Sequence, residues 1–307
     1  MISGLLARTA SAALVVLGVV CAVFFLTHLI PGDPVEVLLG ESAMVAEREQ
    51  LRQRLGLDRP LGGQWLAYVA GLLKLDLGTS LFSQQPVAAI IAQRIGASCF
   101  LALAALGVAV AVAVPTGIVA ALRKDTLWDQ GAMGLALLGV SIPNFWLGPM
   151  LILMFSLSLG WLPVSGAESP ASIILPAITL GTGLAAVLSR NIRSALLEVL
   201  AEDYIRTARA KGIAPRAVLL RHAAANAGLT VVTVLGLQLG ALLGGAVITE
   251  TVFDWPGIGS LMVEAILRRD YPVVQGCVLL ISVIYVAINT ATDLVYALLD
   301  PRIRFAK

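Results

Sequence analysis

Long apolar stretches alternate with short polar ones along this 307-residue chain. Six stretches contain no Asp, Glu, Lys or Arg and are long enough to cross a bilayer, which takes about 20 helical residues. They are residues 9–32, 95–122, 130–167, 169–189, 222–249 and 271–292. This pattern predicts an all-α, polytopic membrane protein with six transmembrane helices. The predicted spans lie near 9–30, 97–122, 132–159, 172–196, 228–250 and 273–298.

Composition agrees with that pattern and excludes several classes of protein. Hydrophobic residues make up 58% of the chain and charged residues 13%, whereas soluble proteins average roughly 25% charged residues. The net charge of +2 is too small to favour nucleic acid as a partner. Cys21, Cys99 and Cys277 lie in apolar runs without metal-binding or redox spacing, so we expect them to act as small buried hydrophobic residues.

Basic residues determine the predicted orientation, because the cytoplasmic loops of membrane proteins carry the excess of Lys and Arg. With the N-terminus in the cytoplasm, 13 of the 21 basic residues fall on that side. We therefore predict cytoplasmic N- and C-termini, a cytoplasmic coupling loop at 198–227 and an extracytoplasmic scaffold segment at 31–96.

The 31–96 segment is partly amphipathic. A charged helix that contains Leu51 and Leu55 is expected to stop at Gly56. Four apolar residues at helical spacing then predict a helix that lies against the outer membrane interface before the second span. They are Val87, Ile90, Ile91 and Ile95. Two interpretations of the whole segment are open, a scaffold lid without ligand contact and a landing site for an external donor protein.

The loop at 202–227 is a long charged and basic stretch between two strongly apolar spans. Its sequence EDYIRTARAKG places two acids first, three bases after them and then Gly212, with Pro215 beyond. This order predicts a short helix, a glycine stop and a proline restart, with Glu202 and Arg206 paired four residues apart. We expect this element to be the docking site for a partner that acts on the membrane domain from outside it.

Few polar groups occur at membrane depth. In the third span, SIPNFWLG contains Pro143, which removes a backbone hydrogen bond, and the amide Asn144 beside Phe145. Gln238 in the fifth span and Asn289 in the sixth are further candidates for a translocation path. A kinked helix whose polar side chains bond to neighbouring helices explains the same residues equally well.

Small residues recur in the fifth span. Gly236, Gly240 and Gly244 repeat every four residues. This spacing predicts close packing against a second membrane subunit or against the rest of the bundle.

The segment FDWPGIGSL, residues 253–261, predicts a tight outer loop that turns its aromatic residues inward. Phe253, Asp254 and Trp255 are candidates for an outer gate or for docking of a binding protein. Glu250 and Asp254 either meet a cationic part of a substrate or are ordinary solvated loop residues.

No catalytic motif accompanies these features. The sequence contains no Walker A loop, no HExxH and no G-x-S-x-G, and His28 and His222 are too few for a metal cluster. No membrane-embedded pair of carboxylates indicates a proton relay. We therefore expect a transport passage rather than an enzyme, with its energy delivered from outside the chain.

Eight ordered motifs give the chain a family resemblance that extends nearly from end to end. They are IPGDP (30–34), LGLDRPL (55–61), LDLGTS (75–80), GVSIPNFWLG (139–148), RTARAKG (206–212), FDWPGIG (253–259), RDYPVVQG (269–276) and DPRIR (300–304). On these motifs the chain resembles the membrane (permease) subunit of a bacterial ATP-binding-cassette (ABC) importer of the dipeptide, oligopeptide and nickel permease family. The resemblance implies a type I ABC importer transmembrane fold in the bacterial cytoplasmic (inner) membrane.

The same resemblance implies a set of partners. Such subunits form a heterodimeric pore with a homologous second permease subunit, carry two ATPase subunits and receive substrate from an extracytoplasmic substrate-binding protein. ATP and Mg²⁺ would be bound by the ATPase subunits, and no cofactor by this chain. The SIPNFW and RDYPVVQG motifs favour di- or oligopeptides as substrate, while nickel, glutathione and sugar-derived cargo stay open.

The resemblance also implies that 202–214 holds the coupling helix that meets the ATPase. The importer signature is E-A-A, three residues and then Gly; here Arg206, Thr207, Ala208 and Gly212 stand at those places, in the R-T-A form usual for peptide permeases. The residues expected to couple to the ATPase are Tyr204, Arg206, Thr207, Ala208, Arg209, Lys211 and Gly212.

One face of this helix is expected to dock. Tyr204, Ala208 and Lys211 share it at helical spacing and would fill the partner's groove, while Arg206 and Arg209 would offer charge-assisted hydrogen bonds. ATP-driven closure of the ATPases would then move the helix as a lever and switch the spans from inward-facing to outward-facing.

Two other classes of function compete with this one. An ion-coupled secondary transporter or channel would need a coupling acid at mid-membrane and often paired broken helices, and only Pro143 breaks a predicted span centrally. A membrane enzyme has no motif to support it.

Overall fold

The computed structural model describes residues 2–29, 33–40 and 44–299 of the chain. Within those ranges the protein is almost entirely helical. The α-helices are α1 Ile2–Leu29, α2 Pro34–Leu39, α3 Val45–Arg54, α4 Leu61–Leu73, α5 Val87–Leu122, α6 Leu127–Ser141, α7 Asn144–Leu151, α8 Ile174–Leu200, α9 Asp203–Ala210, α10 Pro215–Ala217, α11 Ala224–Val252, α12 Ile258–Arg268 and α13 Tyr271–Leu299. Two π-helical segments, Ile152–Ser158 and Val218–Ala223, and a 3₁₀ turn at Pro170–Ile173 join some of them. Most of the IPGDP turn and the terminal DPRIR motif lie outside the described residues.

Residue contacts divide the chain into two units. Met1–Ser98 and Pro256–Ile284 form the first, and Cys99–Trp255 and Tyr285–Lys307 form the second. Each unit has its own cluster of buried apolar side chains.

The core of the first unit is built by the start of α5 together with α12 and the start of α13. Val87 and Ile91 are buried there in one cluster with Cys277. Gly276 makes room for this packing, because a Cβ at that position would lie 2.6 Å from Val87 Cγ1. The predicted separate helix at the outer interface is therefore wrong. Val87 begins a single helix that continues to Leu122, and the apolar side of its first turns faces protein.

The 31–96 segment is more helical than a loop, since it contains α2, α3 and α4. The predicted stop of its charged helix is confirmed, because α3 ends at Arg54 and Gly56 follows with a φ of +67°. Asp33 caps the N-terminus of α2 with its side chain and also pairs with Arg52 of α3. These local contacts hold the short helices together.

Asp270 links the chain before α5 to the start of α13 within the first unit. Its carboxylate accepts hydrogen bonds from Ser80 Oγ at 2.5 Å and from the Leu81 backbone N–H at 3.1 Å. Nearby, Gln275 Nε2 donates to Thr27 Oγ1 of α1 at 3.2 Å. The four bonded side chains are all buried and Leu81 is partly buried, so these bonds form in a water-poor interior.

Close contact between α5 and α8 organises the second unit. A Cβ at Gly117 would lie 2.8 Å from the Ile192 side chain, and a Cβ at Gly181 would lie 2.8 Å from the Ala105 carbonyl oxygen. The two glycines therefore let the helix backbones approach each other at two levels, as small residues do between membrane helices.

Pro143 breaks the third apolar run into two helices. Ile142 and Pro143 both adopt extended conformations, with ψ values of 117° and 141°. Proline disfavours the helical conformation in the residue before it, which explains why α6 ends at Ser141. The segments Leu127–Ser141 and Asn144–Ser158 then meet at 101°. The predicted break at Pro143 is confirmed, and the span at 132–159 stays a prediction.

Three of the helices among the described residues are long and apolar enough to cross a membrane, and five spans result if each bent pair counts as one. The three are Val87–Leu122, Pro170–Leu200 and Tyr271–Thr292. The bent pairs are Leu127–Ser141 with Asn144–Ser158 and Pro215–Gly228 with Thr230–Gly240. Leu14–Leu29 is a shorter apolar helix. The fold is all-α with three to five candidate spans, and six spans remain a prediction.

Candidate functional site

The predicted docking element folds into α9, between α8 and α10 of the second unit. Its inner side is small and apolar, since Ile205 is fully buried and Ala208 is 7% exposed. Both side chains belong to the core cluster that includes Ile192 of α8 and Ala227 of α11. The same cluster contains Val218 and Ala223 of the π-helical segment, so α9 is joined to α8 and α11 through a shared apolar core.

A glycine ends α9, as the sequence predicts. Gly212 has a φ of +75°, a left-handed conformation that costs other residues roughly 1–2 kcal/mol. The Gly212 N–H bonds to the Arg209 carbonyl at 3.0 Å, and the Ile213 N–H bonds to the Ala208 carbonyl at 3.3 Å. This pair of bonds is a Schellman motif, which turns the chain sharply out of the helix.

The exposed face of α9 is not the one that helical spacing predicted. Ala208 does not share an exposed side with Tyr204 and Lys211, because it turns inward together with Ile205, one turn before it. The residues opposite this buried pair are Asp203, Arg206, Thr207 and Ala210, all exposed. The flanks of the helix carry Tyr204, Arg209 and Lys211.

Charges on α9 are exposed and mostly positive. Arg206 pairs with Asp203 at 3.2 Å, three residues away, and not with Glu202 as the spacing predicted. Both partners of this pair are largely in solvent, so it adds little stability. Arg209 and Lys211 are exposed as well. The outward surface is therefore suited to acidic or polar groups of a partner.

A hydrogen bond ties one flank of α9 to α11. Asn226 Nδ2 donates to Tyr204 Oη at 2.9 Å and to the His222 carbonyl, also at 2.9 Å. Asn226 lies in the first turn of α11. The docking helix therefore has a polar link to α11 in addition to its apolar packing.

A buried ion pair that the sequence analysis missed joins α6 to α8. Arg193 Nε and Nη2 donate to the two carboxylate oxygens of Asp129 at 2.6 and 2.7 Å, and Asp129 is 3% exposed. The Asp125 backbone N–H also donates to Asp129, at 3.0 Å. Bidentate pairs of this kind are geometrically specific. One sequence feature could have suggested this pair: the acid and the base each flank an apolar run on the same predicted side of the membrane.

The four path candidates lie in different surroundings. Asn144 and Asn289 are half-buried, and Phe145 is 60% exposed. Gln238 is 9% exposed, and neither amide atom has a hydrogen-bond partner among the described residues. A buried group without a partner costs about 1–3 kcal/mol. Gln238 is therefore the candidate whose surroundings call for an additional polar partner.

The glycine series in α11 packs against the same unit. A Cβ at Gly236 would overlap Thr292 of α13, at 2.2 Å, and a Cβ at Gly240 would lie 2.9 Å from the Tyr285 ring. Gly244 has no atom within 4 Å of such a Cβ. Gly236 and Gly240 therefore allow close packing of α11 on α13, whereas the space beside Gly244 is open.

The aromatic residues of the predicted outer loop turn inward. Phe253 and Trp255 are 2% and 4% exposed. Phe253 packs on α7, where a Cβ at Gly148 would lie 3.1 Å from its ring, and its carbonyl accepts the Gly166 N–H at 2.9 Å. Direct docking of a binding protein on these two side chains is therefore wrong for this conformation. Asp254, with a φ of +48°, is the exposed member of the three.

Glu250 does not belong to the outer loop. It lies in the last turns of α11 and is 1% exposed, whereas Asp254 is exposed. The interpretation of Glu250 as a solvated loop residue is therefore wrong. Its backbone carbonyl accepts the Trp255 N–H at 2.8 Å, which closes the turn after the helix.

The structure thus combines long apolar helices with a short helix packed into one of their cores, and comparison with known proteins gives the class. Residues 113–305 match the family described as "Binding-protein-dependent transport system inner membrane component". Residues 1–102 match the corresponding N-terminal family, "Binding-prot-dependent transport system membrane comp, N-term". The chain belongs to the family of inner membrane components of binding-protein-dependent transport systems. It is thus a transport subunit of the inner membrane whose system includes a binding protein and an ATPase.

Relatives match over nearly their whole length. The chain is 43% identical over 323 residues to "Dipeptide transport system permease protein DppB" of Escherichia coli (strain K12), with 95% of each chain covered. It is 44% identical over 316 residues to "Di/tripeptide transport system permease protein DppB" of Pseudomonas aeruginosa (strain UCBPP-PA14), with 94% covered. It is 44% identical over 283 residues to "Glutathione transport system permease protein GsiC" of Escherichia coli (strain K12), with 92% covered.

Solved structures share the fold at low sequence identity. The inward-facing MetNI methionine ABC transporter matches with a TM-score of 0.60 and 17% identity, over 69% of this chain and 97% of that one. An amino acid ABC transporter with histidines matches with a TM-score of 0.51 and 14% identity, over 70% and 94%. The fold is therefore that of ABC importer transmembrane subunits.

Proposed function

We propose that the chain is one pore-forming permease of an ATP-driven type I importer for di- or oligopeptides. A homologous second permease would complete the pore, and two ATPase subunits carrying ATP and Mg²⁺ would dock on the cytoplasmic face. The substrate class is supported by the three relatives, which are named for dipeptide, di- or tripeptide and glutathione transport. Both termini lie in the cytoplasm in this proposal, and six helices cross the membrane.

The construction of α9 is the observation that carries this function. Ile205 and Ala208 fix one side of the helix in the bundle, while Gly212 ends it with a rigid turn. The opposite side, with Arg206 and Thr207 at its centre, is free to enter a groove of the ATPase. Because α9 shares a core cluster with α8 and α11 and is bonded to α11 through Tyr204 and Asn226, movement of an ATPase would shift two membrane helices together.

Gln238 is the residue of the translocation path that the structure supports best. Its amide offers donors and an acceptor, which match the carbonyl and N–H of a peptide bond. In the present conformation neither amide atom is paired among the described residues, so exposure to water or to a peptide would satisfy both. Asn144, Phe145 and Asn289 belong to the proposed path by their position in the apolar runs.

Reconstitution tests the proposed function. The chain is co-purified with its second permease and ATPase subunits, placed in proteoliposomes with the binding protein, and assayed for uptake of a labelled dipeptide. We expect uptake of the labelled dipeptide to require ATP hydrolysis. Unlabelled dipeptide or glutathione should compete with the labelled dipeptide and reduce its uptake. Uptake by the chain without ATPase subunits would overturn the mechanism, and uptake of Ni²⁺ without peptide uptake would overturn the substrate class.

A further inference from the structure

Helix α4 has an unusual distribution of polar and apolar residues. Its sequence, LGGQWLAYVAGLL, contains no charged residue, although it lies within the predicted extracytoplasmic scaffold. The residues that face the protein include both polar side chains and the aromatic ones, Gln64, Trp65 and Tyr68. The opposite side carries the exposed residues Gly62, Leu66, Ala70 and Leu73. The helix is therefore more polar towards the protein than away from it.

The inner side of α4 is held by α1. Gln64 Oε1 lies 3.1 Å from His28 Nε2. The rings of Trp65 and Tyr68 lie 5.2 and 5.8 Å from that of Phe24. The Tyr68 hydroxyl is buried and has no hydrogen-bond partner among the described residues. The polar side chains of α4 are thus directed towards the protein.

The outer side of α4 is apolar and open. Leu66 is 69% exposed and Leu73 is 83% exposed. Two such leucines with Ala70 between them form an apolar stripe along the second half of the helix. A helix in contact with water normally turns its polar side outward, so this orientation is reversed from that of a soluble scaffold.

The apolar stripe continues onto α1. Phe25 of α1 stacks on Trp65 with ring centroids 6.0 Å apart, and Phe25 is itself 49% exposed. Leu26 and Leu29 are 60% and 75% exposed. The outward sides of α1 and α4 therefore form one continuous apolar surface, and an inner membrane component offers a bilayer to cover it.

The direction of α4 is set by its contacts with α1. Gln64 meets His28, and Tyr68, one turn later, meets Phe24, one turn earlier in α1. At this contact α4 therefore runs antiparallel to α1, back along the apolar helix Leu14–Leu29.

Length and end residues show how far α4 can reach. Its 13 residues extend for about 20 Å, less than the roughly 30 Å of a hydrocarbon core. Exposed Arg59 lies two residues before the helix and exposed Lys74 directly after it. Long basic side chains can extend to the headgroup layer while their stems lie in apolar surroundings. The helix is therefore suited to enter one leaflet but not to cross the bilayer.

We propose that α4 is immersed in the outer leaflet of the membrane, with Leu66, Ala70 and Leu73 in contact with lipid acyl chains. Arg59, two residues before the helix, then lies at headgroup level. Part of the segment assigned to an extracytoplasmic scaffold becomes a membrane anchor beside α1. Assignment to the outer leaflet rests on the orientation in the proposed function, whereas immersion itself does not.

Nitroxide labels on α4 test this immersion in the assembled transporter. Native cysteines are replaced, and single labels are attached to Leu66→Cys or Leu73→Cys in lipid nanodiscs, with exposed Gln53→Cys on α3 as the matched control. We expect both α4 labels to collide often with dissolved oxygen, which enters lipid. They should collide rarely with a water-soluble nickel chelate, which does not enter lipid. The Gln53 label should show the opposite preference.

Each other result contradicts the proposal. Frequent collision with the chelate at both α4 positions would show a water-exposed scaffold. Immobilised labels that meet neither reagent would show that a second protein covers the stripe. A label at Ala70 replaces either leucine label that blocks assembly of the complex. Because the measurement does not depend on uptake, its failure is distinguishable from failure of the transport function.

Discussion

Individual residues in and around α9 determine how this helix is held in the protein. Gly212 fixes the exit of α9 through its left-handed backbone, and Tyr204 joins the helix to Asn226. Asp129 and Arg193 hold α6 to α8, the helix that leads into α9. Each of these residues holds a helix in position and is not proposed to touch the substrate. Substitutions are therefore tested by measuring uptake per ATP hydrolysed or thermal stability.

Gly212→Ala tests the turn after α9. Gly160→Ala is the matched control, because Gly160 has a φ of +65°, compared with +75° at Gly212, and neither site has an atom within 4 Å of the added Cβ. Both variants carry a similar backbone strain of roughly 1–2 kcal/mol. We expect only Gly212→Ala to lower the uptake per ATP hydrolysed in proteoliposomes. An equal ratio in the two variants would contradict the lever mechanism.

Asp129→Asn tests the buried ion pair. The variant leaves the Arg193 guanidinium, whose side chain is 23% exposed, without its carboxylate, and breaking a buried pair costs about 3–5 kcal/mol. We expect a lower thermal unfolding midpoint in detergent and partial recovery in the double variant Asp129→Asn, Arg193→Gln. The control Arg206→Gln removes an exposed pair, which is worth roughly 0–1 kcal/mol. Equal midpoints for Asp129→Asn and Arg206→Gln would show that the buried pair adds nothing.

The structural roles of these residues differ in how well they can be predicted from the sequence. The stop at Gly212 follows from neighbours within a few positions, so composition and order predict it. Asp129 and Arg193 are 64 positions apart, and only the packing of α6 on α8 brings them together. Likewise, the burial of Ala208 depends on which side of α9 meets the core, and helical spacing alone does not select that side.

At the element scale, the break after α6 is larger than the sequence implies. Pro143 predicts an interruption, but the 101° between the two segments depends on what α7 packs against. Phe253 lies on Gly148 of α7, and its backbone is bonded to Gly166, so contacts distant in sequence hold the second segment in place. Local rules locate the break, and tertiary packing determines its angle.

Pro143→Ala tests whether the break is needed for transport. The change restores a backbone N–H and allows Ile142 to become helical, so α6 and α7 gain a straighter alternative. We expect normal assembly with the partners but reduced uptake. Pro149→Ala, within α7, is the control, since it leaves the break unchanged. Unaltered uptake in Pro143→Ala would contradict a role for the break.

Glycine substitutions in α11 separate packing within the chain from packing between subunits. A side chain at Gly236 collides with Thr292, and overpacking of this kind costs about 1–3 kcal/mol. We expect Gly236→Val to lower the unfolding midpoint of the isolated chain. Gly244→Val has open space and should leave that midpoint unchanged while weakening co-purification of the second permease. Equal loss of stability in both variants would contradict this division.

For the whole molecule, composition and motifs predict the class of protein, and the comparisons confirm it. A charged content of 13% indicates a membrane protein, and the ordered motifs indicate a permease subunit. The number of spans is less accessible from the sequence. Apolar length does not distinguish a straight span from the bent pair of α6 and α7, or a scaffold helix from the apolar α4.

The bend at Pro143 has a consequence for the life of the protein in the cell. The first turn of α7 has backbone N–H groups without acceptors inside the helix, and hydrocarbon chains supply none. Neighbouring protein or water must therefore supply hydrogen-bond acceptors to these N–H groups. A permease chain synthesised without its partner subunits lacks some of these protecting contacts. We therefore expect membrane proteases to degrade unassembled chains. Degradation would then keep the amounts of the subunits equal.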